Sequence, residues 1–178
     1  VGLQAVGCYD VAATLPEKQV NKNPDYTRGV KACFDRDTGI FYVLDMVSDR
    51  NRPAVIQKLI EDTAQQDGKG VYVGLPKDPG AGAIESLANK VARLGRLGFK
   101  TLVSKTRKSK FERAEGFLIA AQNGSVVLVR GDWNKAFLDE WCGYDGTDSR
   151  NKKDDIVDAT ADCYNQLMNS MFIPTVTY

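Results

Sequence analysis

"GLQAVGCYDVA", residues 2–12, is a short, largely apolar run that carries an aspartate near its end. It reads as a central strand ending near Asp10. Two more strand-like segments follow, "TRGVKACFD" (27–35) and "GIFYVLDMVS" (39–48), with Val, Phe, Ile and Tyr in near alternation. The intervening "RDTG" makes them a hairpin. Beyond them the period changes. Val55, Ile56, Leu59, Ile60 and Ala64 recur at helical spacing.

The second half alternates helix and strand. "GVYVGLP" (70–76) is a buried strand stopped by Pro76, and "GAIESLANKVARLGRLG" (82–98) is a helix with Gly98 placed to cap it. "KTLVS" is a short strand, "SKFERAEGFLIAAQNG" a helix closed by Asn123-Gly124, and "SVVLVR" a last strand. Asp132 is the expected N-cap of "WNKAFLDEW", which Gly143 ends. A final helix is expected from about Lys153 to Met171. Three strands in a meander, followed by strands joined through helices, predict an α/β fold. Its mixed sheet should be antiparallel at the start and parallel afterwards.

Composition narrows the chemistry. The chain has 178 residues, 43% hydrophobic and 26% charged, which suits one soluble globular domain with one substantial core. No apolar run approaches the roughly 20 residues that span a bilayer. The four cysteines show no C-x-x-C spacing, so buried thiols in a reducing compartment are expected. There is no histidine, which removes the commonest general base and the commonest zinc ligand. Any metal must then be held by oxygen, favouring Mg²⁺ or Mn²⁺. The net charge of +1 leaves nucleic acid open as a partner.

"NKKDDIVDATADCYNQL" (151–167) poses the functional question, because it crowds four aspartates into one helix. At 100° per residue, Ile156, Val157, Thr160, Ala161, Cys163, Tyr164, Leu167, Met168 and Met171 fill one arc. Asp154, Asp155, Asp158, Asp162, Asn165 and Asn169 fill the other. A solvated face is the simpler reading, since aspartates in a first turn suit the helix dipole. Against it, like charges three or four residues apart cost roughly 0.2–0.5 kcal/mol per pair. A divalent cation would turn that repulsion into binding, with Asp158 pairing either Asp154 or Asp155. Other acids must converge for a two-metal site. Asp10 closes the first strand. Asp78 follows "VYVGLP" in a glycine-rich turn, where ligands of α/β folds sit, although Asp-Pro-Gly is also ordinary turn chemistry. Asp45, inside the third strand, is a weaker rival.

Cations for an anionic partner are at hand in "SKTRKSKFER" (104–113), with Lys105, Arg107, Lys108, Lys110 and Arg113. They could track a phosphate backbone or simply be solvated. Lys77 is a second candidate. Trp133, Phe137 and Trp141 lie at helical spacing and are expected in the core rather than under bases.

"GCYDVAAT", "LPKDPGAG", "SKTRKSKFERAEGFLIAAQNGSVVLVRGDWNKAFLDEW" and "KKDDIVDATADCYNQL", in this order, resemble the C-terminal nuclease domain of the large terminase subunits of tailed bacteriophages. The resemblance covers nearly the whole chain. It implies a ribonuclease-H-like fold, shared with Holliday-junction resolvases, and a metal-dependent endonuclease cutting concatemeric viral DNA with two metal ions. It places metal-holding and catalytic acids at Asp10, Asp78 and the Asp154/Asp155/Asp158 group, with the resolvase-like spacing favouring Asp155 and Asp158. Some relatives have glutamate at the position of Asp78, and some carry a histidine in the last group. The implied partners are double-stranded DNA, an ATPase domain, the small terminase subunit and the portal, in the cytoplasm of an infected bacterium. The chain is then expected to be a single nuclease domain over 1–178, cut from a longer protein. It lacks a G-x-x-x-x-G-K-[ST] loop and is expected not to bind ATP. A resolvase, or a non-catalytic module docking DNA or portal, are the alternatives.

Overall fold

The computed structural model describes residues 4–12, 26–77, 81–104, 109–147 and 153–170. The chain begins with β1 (Gln4–Asp10), β2 (Thr27–Asp35) and β3 (Ile40–Asp49), followed by α1 (Pro53–Asp67) and β4 (Val71–Leu75). Then come α2 (Ala81–Arg96), β5 (Thr101–Val103), α3 (Lys110–Gln122), β6 (Val126–Leu128), α4 (Asn134–Gly143) and α5 (Asp155–Ser170). The strands form one sheet in the order β5-β4-β1-β2-β3-β6. The first three are antiparallel neighbours, whereas β4, β5 and β6 join in parallel. Both parts of the expected sheet are therefore present.

Local chemistry explains the meander. The Asp35 carboxylate accepts from Asp37 N at 3.0 Å and from Thr38 Oγ1 at 2.7 Å, and its carbonyl accepts from Gly39 N at 2.9 Å. Gly39 has φ +71°, which a side chain at that position would resist. Strand alternation then divides β1 between two layers. Val6 and Cys8 join Val30, Ala32, Phe41 and Val43 beneath α3, α4 and α5. Tyr9 points to the other side, with Ile56 and Ile60 of α1 and Leu94 of α2. Close approach at Gly29 makes room for it, since a Cβ there would lie 2.5 Å from the Tyr9 ring.

α5 lies across the centre of the sheet. Its Cys163 thiol, fully buried, donates to Val30 O at 3.0 Å on β2. Burial, reinforced by neighbouring Cys163, pushes the Cys8 thiol well up, as befits an inert structural group. Cys8, Cys33 and Cys163 are buried and free, and Cys142 is exposed. Trp133, Phe137 and Trp141 form an aromatic chain with Phe117, whose ring stands 4.4 Å from Trp141. They pack as expected. Among the described residues no helix is long and apolar enough to cross a membrane.

Two details differ from the sequence reading. Asp132 does not cap α4, which starts behind Trp133 with no side-chain cap. Asn134 ties that corner instead, accepting from Gly131 N at 2.8 Å and donating to Val129 O at 3.0 Å. The aspartate arc of α5 is also not a wet face. Asp155 is 7% and Asp162 8% exposed, because α3 and the start of β2 pack over that side.

Candidate active site

The end of the sheet where β1 stops gathers the first pair of acids. Asp10 is the last residue of β1 and pairs with Arg28 on β2. Just beyond it, Ala12 N donates to Thr27 Oγ1 at 3.2 Å, a side chain with 1% exposure. The preceding residue, Tyr26, donates its backbone N–H to Asp155 Oδ2 at 3.4 Å. Asp10 and the Asp155 carboxylate thus both lie at the end of the sheet where β1 stops and β2 starts. β4 runs parallel to β1, with Cys8 beside Gly74. Its exit therefore lies at this end of the sheet too, where Lys77 is exposed. Asp78 follows Lys77 and lies outside the described residues, as do Lys105, Arg107 and Lys108.

A residue that the sequence reading missed sets the head of α5. Glu140 Oε1 accepts from Ile156 N at 2.5 Å and Val157 N at 3.0 Å, the work that an N-cap side chain normally does. Asp155 is therefore not needed as the cap of its own helix, and its carboxylate faces Tyr26. Glu140 is placed by its neighbour Trp141, which is buried against Phe117 and donates to Thr160 at 3.4 Å. Burial raises the Glu140 carboxyl above its ordinary range; the two N–H donors oppose this and the charge of Asp155 adds to it. No local spacing announces such a cap, because donor and acceptor belong to different helices.

Glu140→Ala is expected to cost about 1–2 kcal/mol, the range for a lost N-cap. Thermal unfolding should register this as a fall of roughly 2–8 °C in Tm. Glu140→Gln keeps an acceptor oxygen and should recover most of the loss.

The remaining acids of α5 face α3, and they are answered by protein cations. Lys110 Nζ lies 2.6 Å from Asp154 Oδ2 and 3.0 Å from Asp158 Oδ2. Arg113 reaches Asp158 at 2.6 Å and Asp162 at 3.3 Å. Asp162 also accepts from Ser104 Oγ at 2.8 Å. The cations stand at the head of α3, where positive charge opposes the helix dipole. A reciprocal box between Ser109 and Glu112 starts that helix. The aspartates compensate the cations. Burial works against the Lys110 charge, but the hydrogen bonds that its ammonium donates to Asp154 and Asp158 overcome it and hold the ammonium pKa above its usual value. For Asp162 burial wins over Ser104 and Arg113, and the carboxyl is raised.

The structure thus separates the predicted acids. Asp10 and Asp155 lie at the end of the sheet where β1 stops and β2 starts, while Asp154 is ion-paired with Lys110, and Asp158 with Lys110 and Arg113. Those two cations, expected at a DNA surface, are half-buried between helices. Among the described residues no three acids or thiols are grouped closely enough to hold a metal ion.

The chain is similar in fold to several solved nucleases. The bacteriophage P22 large terminase nuclease domain matches with a TM-score of 0.61 at 16% identity, over 94% of this chain and 82% of that one. The large terminase nuclease of the thermophilic phage G20c, with bound magnesium, matches with a TM-score of 0.55 at 20% identity, over 91% and 82%. The fowlpox virus resolvase in complex with Holliday junction DNA matches with a TM-score of 0.56 at 10% identity, over 94% and 99%. No curated protein sequence matches the chain. The sequence itself matches the family of terminase RNaseH-like domains over residues 7–167. That match takes in Asp10, the α3–α5 ion pairs and nearly all of α5, and the chain belongs to the terminase RNaseH-like domain family.

Proposed function

We propose that this chain is a divalent-metal-dependent endonuclease that cuts concatemeric viral DNA during genome packaging, with little sequence preference. The observation that carries the reading is that Asp10 ends β1 while Asp155 accepts from Tyr26 N at the adjoining start of β2, at one end of the sheet, in a chain of the terminase family.

Mg²⁺ or Mn²⁺ fits this site in kind. The described donors are carboxylate oxygens, hard ligands that suit these ions, and the chain has no histidine to favour zinc. Asp10 and Asp155 would hold the metal, with Asp78 as the third carboxylate. When bound, a pair of such ions neutralises the phosphodiester, lowers the pKa of a water and stabilises the leaving 3′ oxygen.

The rest falls to the protein. Glu140 fixes the head of α5, and so the direction of the Asp155 carboxylate. Asp154 and Asp158 lie within a turn of Asp155, and joining the ligand set would compete with their ion pairs to Lys110 and Arg113. Lys77, Lys105, Arg107 and Lys108 are assigned to the DNA backbone, which carries no sequence information. The ATPase domain, small subunit and portal complete the proposed machine in the infected cell.

The test is incubation of supercoiled plasmid with Mg²⁺, Mn²⁺ or chelator. Nicked circles are expected only with metal. No nicking under any metal, with intact folding, would leave a docking module as the better reading. Preference for a four-way junction over linear duplex would instead mark a resolvase, the reading favoured by the fowlpox likeness.

A further inference from the structure

Near the paired acids, one aromatic ring gathers cations from three separate places in the chain. Arg28 of β2 lies 4.6 Å from the centre of the Tyr26 ring, Arg50 beyond β3 lies 5.4 Å from it, and Lys153 before α5 lies 4.3 Å from it. The sheet explains two of these placements. Tyr26 and Arg28 are two residues apart, hence on one face. Thr27 pairs with Asp49, which brings Arg50 opposite Tyr26. The third follows from α5, whose head is tied to Tyr26 N through Asp155.

Any two of these cations lie within about 10 Å of each other, roughly one Debye length at 0.1 M salt, so their mutual repulsion is only partly screened. Proximity to a ring face offsets some of it. Among the described residues none of the three forms an ion pair, unlike Lys110 and Arg113. Arg28 is not saturated either: one nitrogen donates to Ser48 at 2.6 Å, while its buried Nε has no partner among the described residues. Such a cluster favours an anion held by the cations over a base stacked on the ring.

We propose that Tyr26, Arg28, Arg50 and Lys153 form a phosphate-backbone clamp, holding the DNA strand on the β2–β3 side of the carboxylates. The inference rests on the nuclease reading and adds four residues to the cations proposed there for the DNA backbone. Tyr26 acts as the post that keeps three repelling cations together. Lys153 stands two residues before Asp155 in the chain, and Arg28 is the register partner of Asp10 on the neighbouring strand.

Arg28 also acts on Glu140, so the test uses the other two cations. Binding of a 20-base-pair duplex is measured by fluorescence anisotropy across a salt series, with chelator present to prevent cutting. Arg50→Ala/Lys153→Ala should make the plot of log affinity against log salt shallower by nearly two units, about 0.9 for each phosphate no longer neutralised. At 0.1 M salt its affinity should fall by some tens of fold. The control, Lys58→Ala/Lys135→Ala, removes the same charge from exposed pairs on α1 and α4 and should keep the wild-type slope.

Equal slopes for both double variants, with thermal unfolding showing each is folded, would overturn the clamp. If the wild type nicks plasmid in that case, the nuclease reading stands without it. If the wild type neither binds duplex nor nicks plasmid, both fall together.

Discussion

Asp155→Asn is expected to lower the rate of plasmid nicking at least about a hundredfold, beyond the 10–100-fold typical of losing an outer partner of a metal ligand. The substitution is close to isosteric, and the amide oxygen can still accept from Tyr26 N. What it removes is the negative charge, at a position 7% exposed and close to Glu140. Folding should survive, because Glu140 rather than Asp155 takes Ile156 N and Val157 N. Asp10→Asn should behave in the same way. Asp158→Asn discriminates, since the structure makes Asp158 the partner of Lys110 and Arg113. Its main effect should be on stability. Loss of nicking in Asp158→Asn at unchanged Tm would show instead that Asp155 and Asp158 act as the resolvase-like pair.

Arg113→Ala should be the most destabilising charge-removing substitution between α3 and α5. The guanidinium is 16% exposed and serves two carboxylates that are 13% and 10% exposed. Removing one member of a buried pair leaves the other charge uncompensated, at a cost of about 3–5 kcal/mol. Partial solvent access places the expected value near the lower figure, about 3 kcal/mol. For a chain of this length that is a fall in Tm of roughly 6–12 °C. Lys110→Ala should cost less, because Lys110 is 37% exposed. Differential scanning calorimetry of both variants checks the order. Unchanged stability of Arg113→Ala together with weaker DNA binding would return Arg113 to the backbone surface.

Period and punctuation in the sequence were enough to read the strands and helices of the fold. Alternation in residues 27–48 marks the hairpin, and Gly98, at φ +85°, ends α2 as its position implies. Less was legible at the sheet margin. Nothing local says that the three-residue β6 joins β3, at the opposite edge from β5, because pairing is decided by how α3 crosses the sheet.

The same division holds at the site. The strand end that carries Asp10 could be read from an apolar run that stops there. Crowding of acids on α5 correctly signalled a need for positive charge, but the sequence alone did not separate a metal from protein cations. A signal for the cations was present. Lys110 and Arg113 are one turn apart at the head of a helix, and Asp154, Asp158 and Asp162 are spaced at single turns along another. Matched stripes of this kind predict two helices packed charge to charge. Glu140 and the Tyr26 cluster had no such signature, since each depends on residues brought together only by tertiary packing.

Direct binding of Mn²⁺, measured by isothermal titration calorimetry on the wild type, Asp10→Asn and Asp155→Asn, separates the site from any contaminating nuclease. Saturable uptake is expected in the wild type, lost or weakened at least about tenfold in both variants, each of them folded. Uptake that is unchanged in both variants, or absent in the wild type, would contradict a metal centre built on Asp10 and Asp155.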